Sequence, residues 1–182
     1  MALAGRRRAD GQGPFWGGAV GPNPTDRGKA GTKKSLIVEA QGGPLGAVIA
    51  GANVPDCKLL DHTIEAIVID RPDVTEGAPQ HLCLDKGFDN PSGRDAAERH
   101  GYTPHIRRIG EEKRPCDGAK GRRPRRWVVE RTLAWLSKCR ALLVRYDKHE
   151  GNYPGLIELA CGLIWFRRLH RLKPSKPHEP PC

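Results

Sequence analysis

Two isolated acidic residues, Glu130 and Asp85, have settings in this sequence that suit metal chemistry. Glu130 is surrounded by cations in the stretch RRWVVERT at 125–132, and the apolar spacing there predicts a helix. Asp85 follows a short apolar run in HLCLDKG at 81–87, where we expect a strand to end in a turn. An acid at a strand end and an acid on a basic helix can together hold a divalent metal ion against a phosphate backbone.

Each acid also has an ordinary structural interpretation. Asp85 begins an Asp-Lys-Gly turn of a common kind, and Glu130 stands four residues after Arg126, a spacing typical of a weak helix ion pair. Open α/β sheets, however, place ligand chemistry at the carboxyl ends of their strands. The two acids together therefore favour phosphoryl transfer on a nucleic acid more strongly than either does alone.

Several other side chains are candidates for binding. We predict that cations around the helix hold a nucleic-acid backbone through salt-sensitive contacts that do not depend on sequence; they are Arg122, Arg123, Arg125, Arg126 and Arg131. Trp127 could stack on a base, but we expect it to pack in the core. Asp26 lies in a turn-like stretch, and His81 is expected to pack or face solvent rather than bind a metal.

Composition agrees with a polyanionic partner. The 182 residues carry a formal net charge of +10, which indicates nucleic acid or, less specifically, a generally basic soluble protein. The six cysteines form no Cys-x-x-Cys pair, so we expect no structural zinc site and a reduced, cytoplasmic location. The longest apolar stretch, at 156–166, contains Glu158 and is too short to span a membrane.

The elements that must position the acids follow from periodicity and turn signals. Glycines at 42 and 43 followed by a proline predict a hairpin turn, and Asp56 and Ser92 are the predicted N-caps of two helices. In order, we predict strands at 33–40 and 45–50, a helix at 56–69, a strand at 81–84, a helix at 92–100, a strand at 104–109, and helices at 125–143 and 154–172. Strands mixed with helices indicate an α/β sheet with helices on its faces.

This pattern divides the chain into three parts. Residues 1–31 are rich in Gly, Pro and Arg and are predicted to be irregular or disordered, residues 32–172 carry the elements, and 173–182 form a Pro-rich tail. We expect five apolar residues of the last two helices to pack against the sheet: Trp135, Leu136, Leu159, Leu163 and Ile164.

Three stretches resemble insertion-sequence transposases of the DDE type, in the IS5-like family: GPNPTDRGK at 21–29, DKGFD at 85–89 and RWVVERTLAWL at 126–136. The resemblance implies a ribonuclease-H-like fold, a mixed sheet flanked by helices, and DNA strand cleavage and strand transfer with Mg²⁺ or Mn²⁺ as cofactor. The partners it implies are DNA, at the insertion-sequence ends and the target, and a homodimer or a full-length transposase.

By this resemblance Asp85 matches the second catalytic acid and Glu130 the third. Arg126 matches the basic residue of the signature around the glutamate, and Lys138 stands near the lysine expected after it.

The first acid of the resembled family sits on the first strand, upstream of Gly21. Asp10 is the only acid before Asp26, and no apolar run surrounds it. Either Asp10 is this catalytic and metal-binding residue, or the first strand and its acid are missing. The DNA-end-binding helical domain that precedes the catalytic domain in the family is not recognisable in this chain.

Two functions therefore stay open. The chain is a transposase catalytic domain, and an enzyme if the first catalytic Asp is supplied, or it is a truncated, non-catalytic remnant that binds DNA. A basic RNA- or ribosome-associated protein is a third interpretation, which explains the charge but not the acids Asp85 and Glu130.

Overall fold

Seven strands form a single sheet in the computed structural model, which describes residues 2–4, 11–12, 18–75, 77–106 and 127–172. The strands are β1 (Ala2–Ala4), β2 (Gly11–Gln12), β3 (Gly21–Pro22), β4 (Ala30–Val38), β5 (Pro44–Gly51), β6 (Gln80–Leu84) and β7 (Tyr102–Ile106). The helices are α1 (Asp56–Glu65), α2 (Pro91–Arg99), α3 (Trp127–Leu136), α4 (Arg140–Leu143) and α5 (Asn152–Leu172), with a 3-10 turn at Lys86–Phe88.

Strand β4 organises the antiparallel half of the sheet. It pairs antiparallel with β5 and β3 along one edge and with β1 and β2 along the other. Strand β1 in turn pairs parallel with β6, which pairs parallel with β7. The main order across the sheet is thus β5-β4-β1-β6-β7, and the parallel strands β1, β6 and β7 end at the same margin.

The predicted hairpin is confirmed, because β4 and β5 are joined by a tight turn at residues 39–43. Gly42 adopts φ 92° there, a conformation that other L-residues rarely accept. The Glu39 carboxylate closes the turn by accepting hydrogen bonds from the amides of Gln41 and Gly43, both at 2.8 Å.

Helices cover both faces of the sheet, as the alternation of elements predicted. Neighbouring residues of β4 point to opposite faces, so Ile37 packs with α1 and α2 while Leu36 and Val38 pack with α3 and α5. Each face carries its own buried cluster. The coarse architecture is therefore a mixed α/β sheet between two helical layers.

The N-terminal region departs from the sequence-based prediction. Three short strands, β1 to β3, lie within residues 1–31, where we predicted irregular structure. We also left open that a strand before residue 32 is missing, and β1 occupies that place between β4 and β6. Strands of two or three residues pair through their backbones and leave no periodic apolar signal, so the composition was misleading.

Two helix starts also differ from their predicted caps. Asp56 lies inside the first turn of α1 and forms an ion pair with Lys33 at 2.8 Å, while Pro55 takes the cap position. Asn90, not Ser92, caps α2, and its side chain accepts a hydrogen bond from the Gly93 amide at 2.8 Å. In α2, Pro91 takes the first helical position, which places the cap at Asn90 directly before it.

The predicted helix at 125–143 is interrupted. Helix α3 ends at Leu136, and Cys139 has extended backbone before the short α4. Beyond the break, Leu142 of α4 enters the same cluster as α3 and α5. Residues 125 and 126 lie outside the described part of the chain.

Burial on the last helices corrects part of our prediction. Leu136 is buried and Ile164 packs partly against its cluster, as predicted. Trp135, Leu159 and Leu163 are exposed, and so is Trp127, which we expected in the core. The reason is that α3 and α5 turn other residues to the sheet, namely Val128, Val129, Thr132, Tyr153, Ile157 and Ala160.

Candidate active site

Asp85 directly follows β6, at the carboxyl end of a parallel strand. Its backbone is extended, and its carboxylate accepts a hydrogen bond from the Lys86 amide at 2.7 Å, which caps the 3-10 turn. Phe88 anchors that turn because its side chain is only 1% exposed. The carboxylate is thus held at the sheet margin, half-buried, by a turn that is itself tied to the core.

Strand alternation assigns Asp85 to one side of the sheet. Leu82 and Leu84 pack into the cluster beneath α1 and α2, whereas Cys83 packs against the cluster of α3 and α5. Asp85 continues the extended backbone one residue beyond Leu84, so it belongs to the side that Cys83 faces. This is the side of the sheet that α3 covers.

Glu130 lies in α3, which packs over β4 and β1. Its neighbours Val128 and Val129 are buried with Leu36 of β4, while Glu130 itself is exposed. Because β1 is the strand beside β6, Glu130 and Asp85 occupy the same side of neighbouring parts of the sheet. The convergence of the two carboxylates on one metal ion stays a prediction.

Helix α3 is fixed by the β4–β5 turn. The Thr132 hydroxyl donates to the Gly42 carbonyl oxygen at 2.7 Å, and the Arg131 guanidinium donates to the Gln41 carbonyl oxygen. We call residues 39–44 with their contacts from α3 and α5 the turn clamp. It sets the position of Glu130, which directly precedes Arg131.

Helix α5 supplies the other half of the turn clamp. Arg168 forms an ion pair with Glu39 and a hydrogen bond with the Gln41 side chain, and Trp165 Nε1 donates to the Pro44 carbonyl oxygen at 2.6 Å. A Cβ atom on Gly43 would lie 2.3 Å from the Trp165 ring. Glycine at position 43 therefore leaves room for the Trp165 ring to approach the turn closely.

The charge of Glu39 depends on this clamp. Burial by itself raises the pKa of its carboxyl group, but hydrogen bonds from Arg168, Gly43 and Gln41 outweigh it and hold the pKa below its usual value. The carboxylate form is the one that the clamp stabilises.

The sequence analysis identified none of the buried cations, and two of them, Lys34 and Arg145, lie beside Tyr153. Lys34 donates to the Leu142 carbonyl oxygen at 2.8 Å and to the Tyr153 hydroxyl at 3.0 Å. Arg145, 1% exposed, donates to the Gly18 carbonyl oxygen at 2.8 Å. The available signal was a pair of lysines inside a predicted strand, which the general abundance of cations concealed.

Tyr153 lies between those cations. Burial raises the pKa of its hydroxyl, although the nearby Arg145 acts in the opposite direction. The hydroxyl therefore stays protonated and donates to the Leu142 carbonyl oxygen at 2.9 Å. This polar cluster joins β4, α4 and α5.

The predicted DNA-binding residues have different fates. Arg131 is half-buried, and its guanidinium carbon lies 4.4 Å from the centre of the Trp127 ring and 4.9 Å from that of Trp135. These two ring contacts and the hydrogen bond to the Gln41 carbonyl oxygen give Arg131 a role in holding α3 in place. Lys138 is exposed just beyond α3. The remaining predicted residues lie outside the described part of the chain: Asp10, Arg122, Arg123, Arg125 and Arg126.

The other candidates have ordinary surroundings. Asp26 forms an ion pair with Lys29 at 3.6 Å inside a turn. His81 is exposed, and its ring nitrogen lies 2.9 Å from that of His105. Within the described ranges no group of three or more His, Cys, Asp and Glu side chains could hold a metal ion, so the structure contains at most part of the predicted acid set.

Comparison with known proteins decides the family. The family model described as Transposase DDE domain matches residues 7–165. This chain belongs to the DDE transposase family. A protein from Burkholderia cepacia named as a transposase for the insertion sequence element IS402 is 35% identical over 178 residues, which cover 95% of this chain and 81% of that protein. The resemblance to insertion-sequence transposases is thereby confirmed.

No solved structure matches this transposase. Among its described residues, no helix combines the length and apolar character needed to cross a membrane.

Proposed function

We propose that this transposase chain cleaves DNA strands and transfers them to a target, on a ribonuclease-H-like fold. The observation that supports this most is the position of Asp85 at the carboxyl end of β6, on the side of the sheet where α3 carries Glu130. A mixed sheet between helices is the architecture that the proposed fold requires.

Asp85 and Glu130 would hold a divalent ion, Mg²⁺ or Mn²⁺, together with Asp10 as the first acid of the set. Carboxylate oxygens are the hard ligands that such ions prefer, so the donor type fits, although the described residues include only two of the three acids. When bound, the ion would polarise the scissile phosphate and favour ionisation of the attacking hydroxyl. The Lys86 amide would hold the Asp85 carboxylate in place, and the turn clamp would hold Glu130.

DNA is the proposed partner, both at the insertion-sequence ends and at the target. The exposed Lys138 and the cations Arg122, Arg123, Arg125 and Arg126 would contact phosphates, while Arg131 would support α3 and reach the backbone only if its stack with the tryptophans opens. A homodimer or a complex with a full-length transposase, a cytoplasmic location and a catalytic portion spanning residues 32–172 are further proposals; β1 would extend that portion toward the N-terminus.

A non-catalytic DNA-binding remnant is the second candidate, and one observation favours it. Strand β1 runs parallel to β6 beside it, so the carboxyl end of β1 adjoins that of β6, where Asp85 stands. Strand β1 ends at Ala4, and Asp10 comes six residues after it in the sequence. A chain without an acid there would bind DNA without cutting it.

Cleavage of labelled insertion-end DNA by the purified protein in Mg²⁺ or Mn²⁺ tests the proposal. We expect nicking that Asp85→Asn and Glu130→Gln each abolish while DNA binding persists. Glu98→Gln is the matched control, because Glu98 is an exposed helix acid on α2, and it should cut normally. Nicking that survives Glu130→Gln would refute the assignment.

The same assay separates the two candidates. Loss of nicking in Asp10→Asn, with DNA binding retained, would identify Asp10 as the first acid of the set. A wild-type protein that binds DNA but never nicks it, in either metal, would establish the remnant instead.

A further inference from the structure

Helix α5 presents a continuous apolar face to solvent. Leu159, Leu163, Phe166 and Leu169 are 61%, 45%, 59% and 58% exposed, and their spacing places them on one side of the helix. The opposite side, with Tyr153, Ile157 and Ala160, packs into the core. An exposed apolar patch of this kind is typical of a surface that binds another protein.

The spacing along this face is that of a helix–helix seam. Gly155, Leu159, Gly162, Phe166 and Leu169 follow one another at alternating intervals of four and three residues, the pattern of the two inward positions of a coiled coil. We call these five residues the α5 seam. Packing against a second helix would cover them along about 20 Å, at 1.5 Å of rise per residue.

Contacts within the described part of the chain do not explain the two glycines of the seam. A Cβ atom built on Gly155 or Gly162 would meet nothing within 4 Å, and neither glycine has positive φ. Glycine inside a helix costs about 1 kcal/mol relative to alanine. A second helix packed against this surface would explain why glycine is present despite the cost, because small residues let another helix approach closely.

Charge along α5 indicates which partner and which direction fit. Its first ten residues contain one charged side chain, Glu158, whereas its second half contains Arg167, Arg168 and Arg171 and no acid. Two copies of α5 side by side and antiparallel bring Arg167 and Arg171 of each copy toward Glu158 of the other, while Arg168 stays paired with Glu39 of its own chain. A parallel arrangement would set the cations of both copies together.

We propose that the α5 seam joins two copies of this chain as an antiparallel dimer. In the register that covers all the large seam residues, Phe166 lies against the partner subunit's Gly162, and Leu159 lies against the partner subunit's Leu169. A large side chain thus meets a position that has none, and two leucines meet each other. The dimer does not depend on the proposed DNA chemistry.

Sedimentation equilibrium of the full chain over a range of concentrations tests the proposal. We expect a reversible dimer that Gly162→Leu weakens at least about tenfold, because the added side chain collides with Phe166 of the other copy. The same variant should not lower Tm, since position 162 is open in the single chain and leucine favours helix more than glycine. Gly155→Leu is the matched control and should leave association unchanged, because no large seam residue opposes Gly155 in this register.

A charge exchange tests the direction of packing. Leu159→Glu and Leu169→Arg should each weaken the dimer, and the double variant should regain most of the lost association, because the introduced charges face each other only when the helices are antiparallel. Val68→Glu, at a position 85% exposed and remote from α5 in sequence, should have no effect.

Three results would overturn the dimer. They are a wild-type chain that stays monomeric at every soluble concentration, equal effects of Gly162→Leu and Gly155→Leu, and a double variant that associates no better than either single one. Because association is measured without DNA or metal, these results are independent of whether the protein nicks DNA.

Discussion

The neighbours of Glu130 in α3 hold that helix in place. Val128 and Val129 bury one side of the helix, and Thr132 joins it to the β4–β5 turn. Sequence spacing identified the acid because its surroundings are basic, but it did not identify Thr132. Like many helical threonines, Thr132 also has its hydroxyl within reach of its own helix, 3.1 Å from the Val128 carbonyl oxygen, and only the fold brings the nearer Gly42 carbonyl oxygen into contact.

Thr132→Val tests this support at the level of one hydrogen bond. The change leaves the buried Gly42 carbonyl oxygen without this donor, so we expect the free energy of unfolding to fall by about 1–3 kcal/mol. Urea denaturation measures it. Ser137→Ala is the control, because the Ser137 hydroxyl donates only to the Leu133 carbonyl oxygen of its own helix, and it should change stability far less.

Leucines of similar sequence setting should differ sharply in their contribution to stability. Leu136 is 2% exposed and Leu159 is 61% exposed. We expect Leu136→Ala to cost about 2–5 kcal/mol, and Leu159→Ala to change the stability of the monomer by no more than about 0.5 kcal/mol. Thermal unfolding at low protein concentration measures both, and similar losses would contradict the burial described for α5.

At the scale of helices and strands, the turn clamp holds the two sides of the fold together in the same way as these single contacts. It joins three elements that are far apart in sequence, because α3 and α5 both bind the turn between β4 and β5. The Gly-Gly-Pro sequence predicted the turn, but not that two helices would pack upon it. The requirement for Gly43 arises from the Trp165 ring, and no local pattern contains that information.

Stability should respond to pH through Glu39. Its pKa is lower in the folded chain than the ordinary value of 4.5, so the unfolded chain binds the proton more readily. The contribution is complete above the ordinary value and is lost as pH falls through the lower folded-state pKa. We expect chemical denaturation of the wild type to show this loss on acidification and Glu39→Gln to show less of it, with lower stability at neutral pH.

Element order was predictable, but helix orientation was not. The strand and helix alternation from residue 33 onward matches the structure, since strong periodicity and turn residues mark each element. Helix α5, however, has apolar residues on two sides, one with Tyr153 and Ile157 and one with Leu159 and Phe166. Periodicity finds both stripes, and only tertiary packing decides which of them faces the sheet.

The candidate site was predictable only as a pair. The motifs located Asp85 and Glu130, and the parallel pairing of β1 and β6 explains why a strand end and a helix from distant parts of the chain occupy one side of the sheet. The first acid of the set could not be identified from the sequence, because Asp10 follows a strand too short to give a periodic signal.

At the scale of the whole molecule, the net charge of +10 should govern DNA affinity. The logarithm of the binding constant falls with the logarithm of salt concentration by about 0.9 for each phosphate contact. We expect Lys138→Gln to reduce that slope by about one, as measured by fluorescence anisotropy at several salt concentrations. Arg94→Gln is the control, because Arg94 pairs with Asp89 at 2.6 Å, and an equal change in slope would argue against a contact at Lys138.

The position of strand β1 in the sequence also affects the order in which the sheet can form. Its three residues precede both of its neighbouring strands, which begin at residues 30 and 80. The antiparallel and parallel halves of the sheet can therefore pair only after β6 has left the ribosome. Contacts that span so much chain are slow to form. A nascent chain that ends before residue 80 would contain the β4–β5 hairpin and α1, but β1 would have one edge without its partner strand. We expect chaperones to bind the chain mainly at this stage of synthesis.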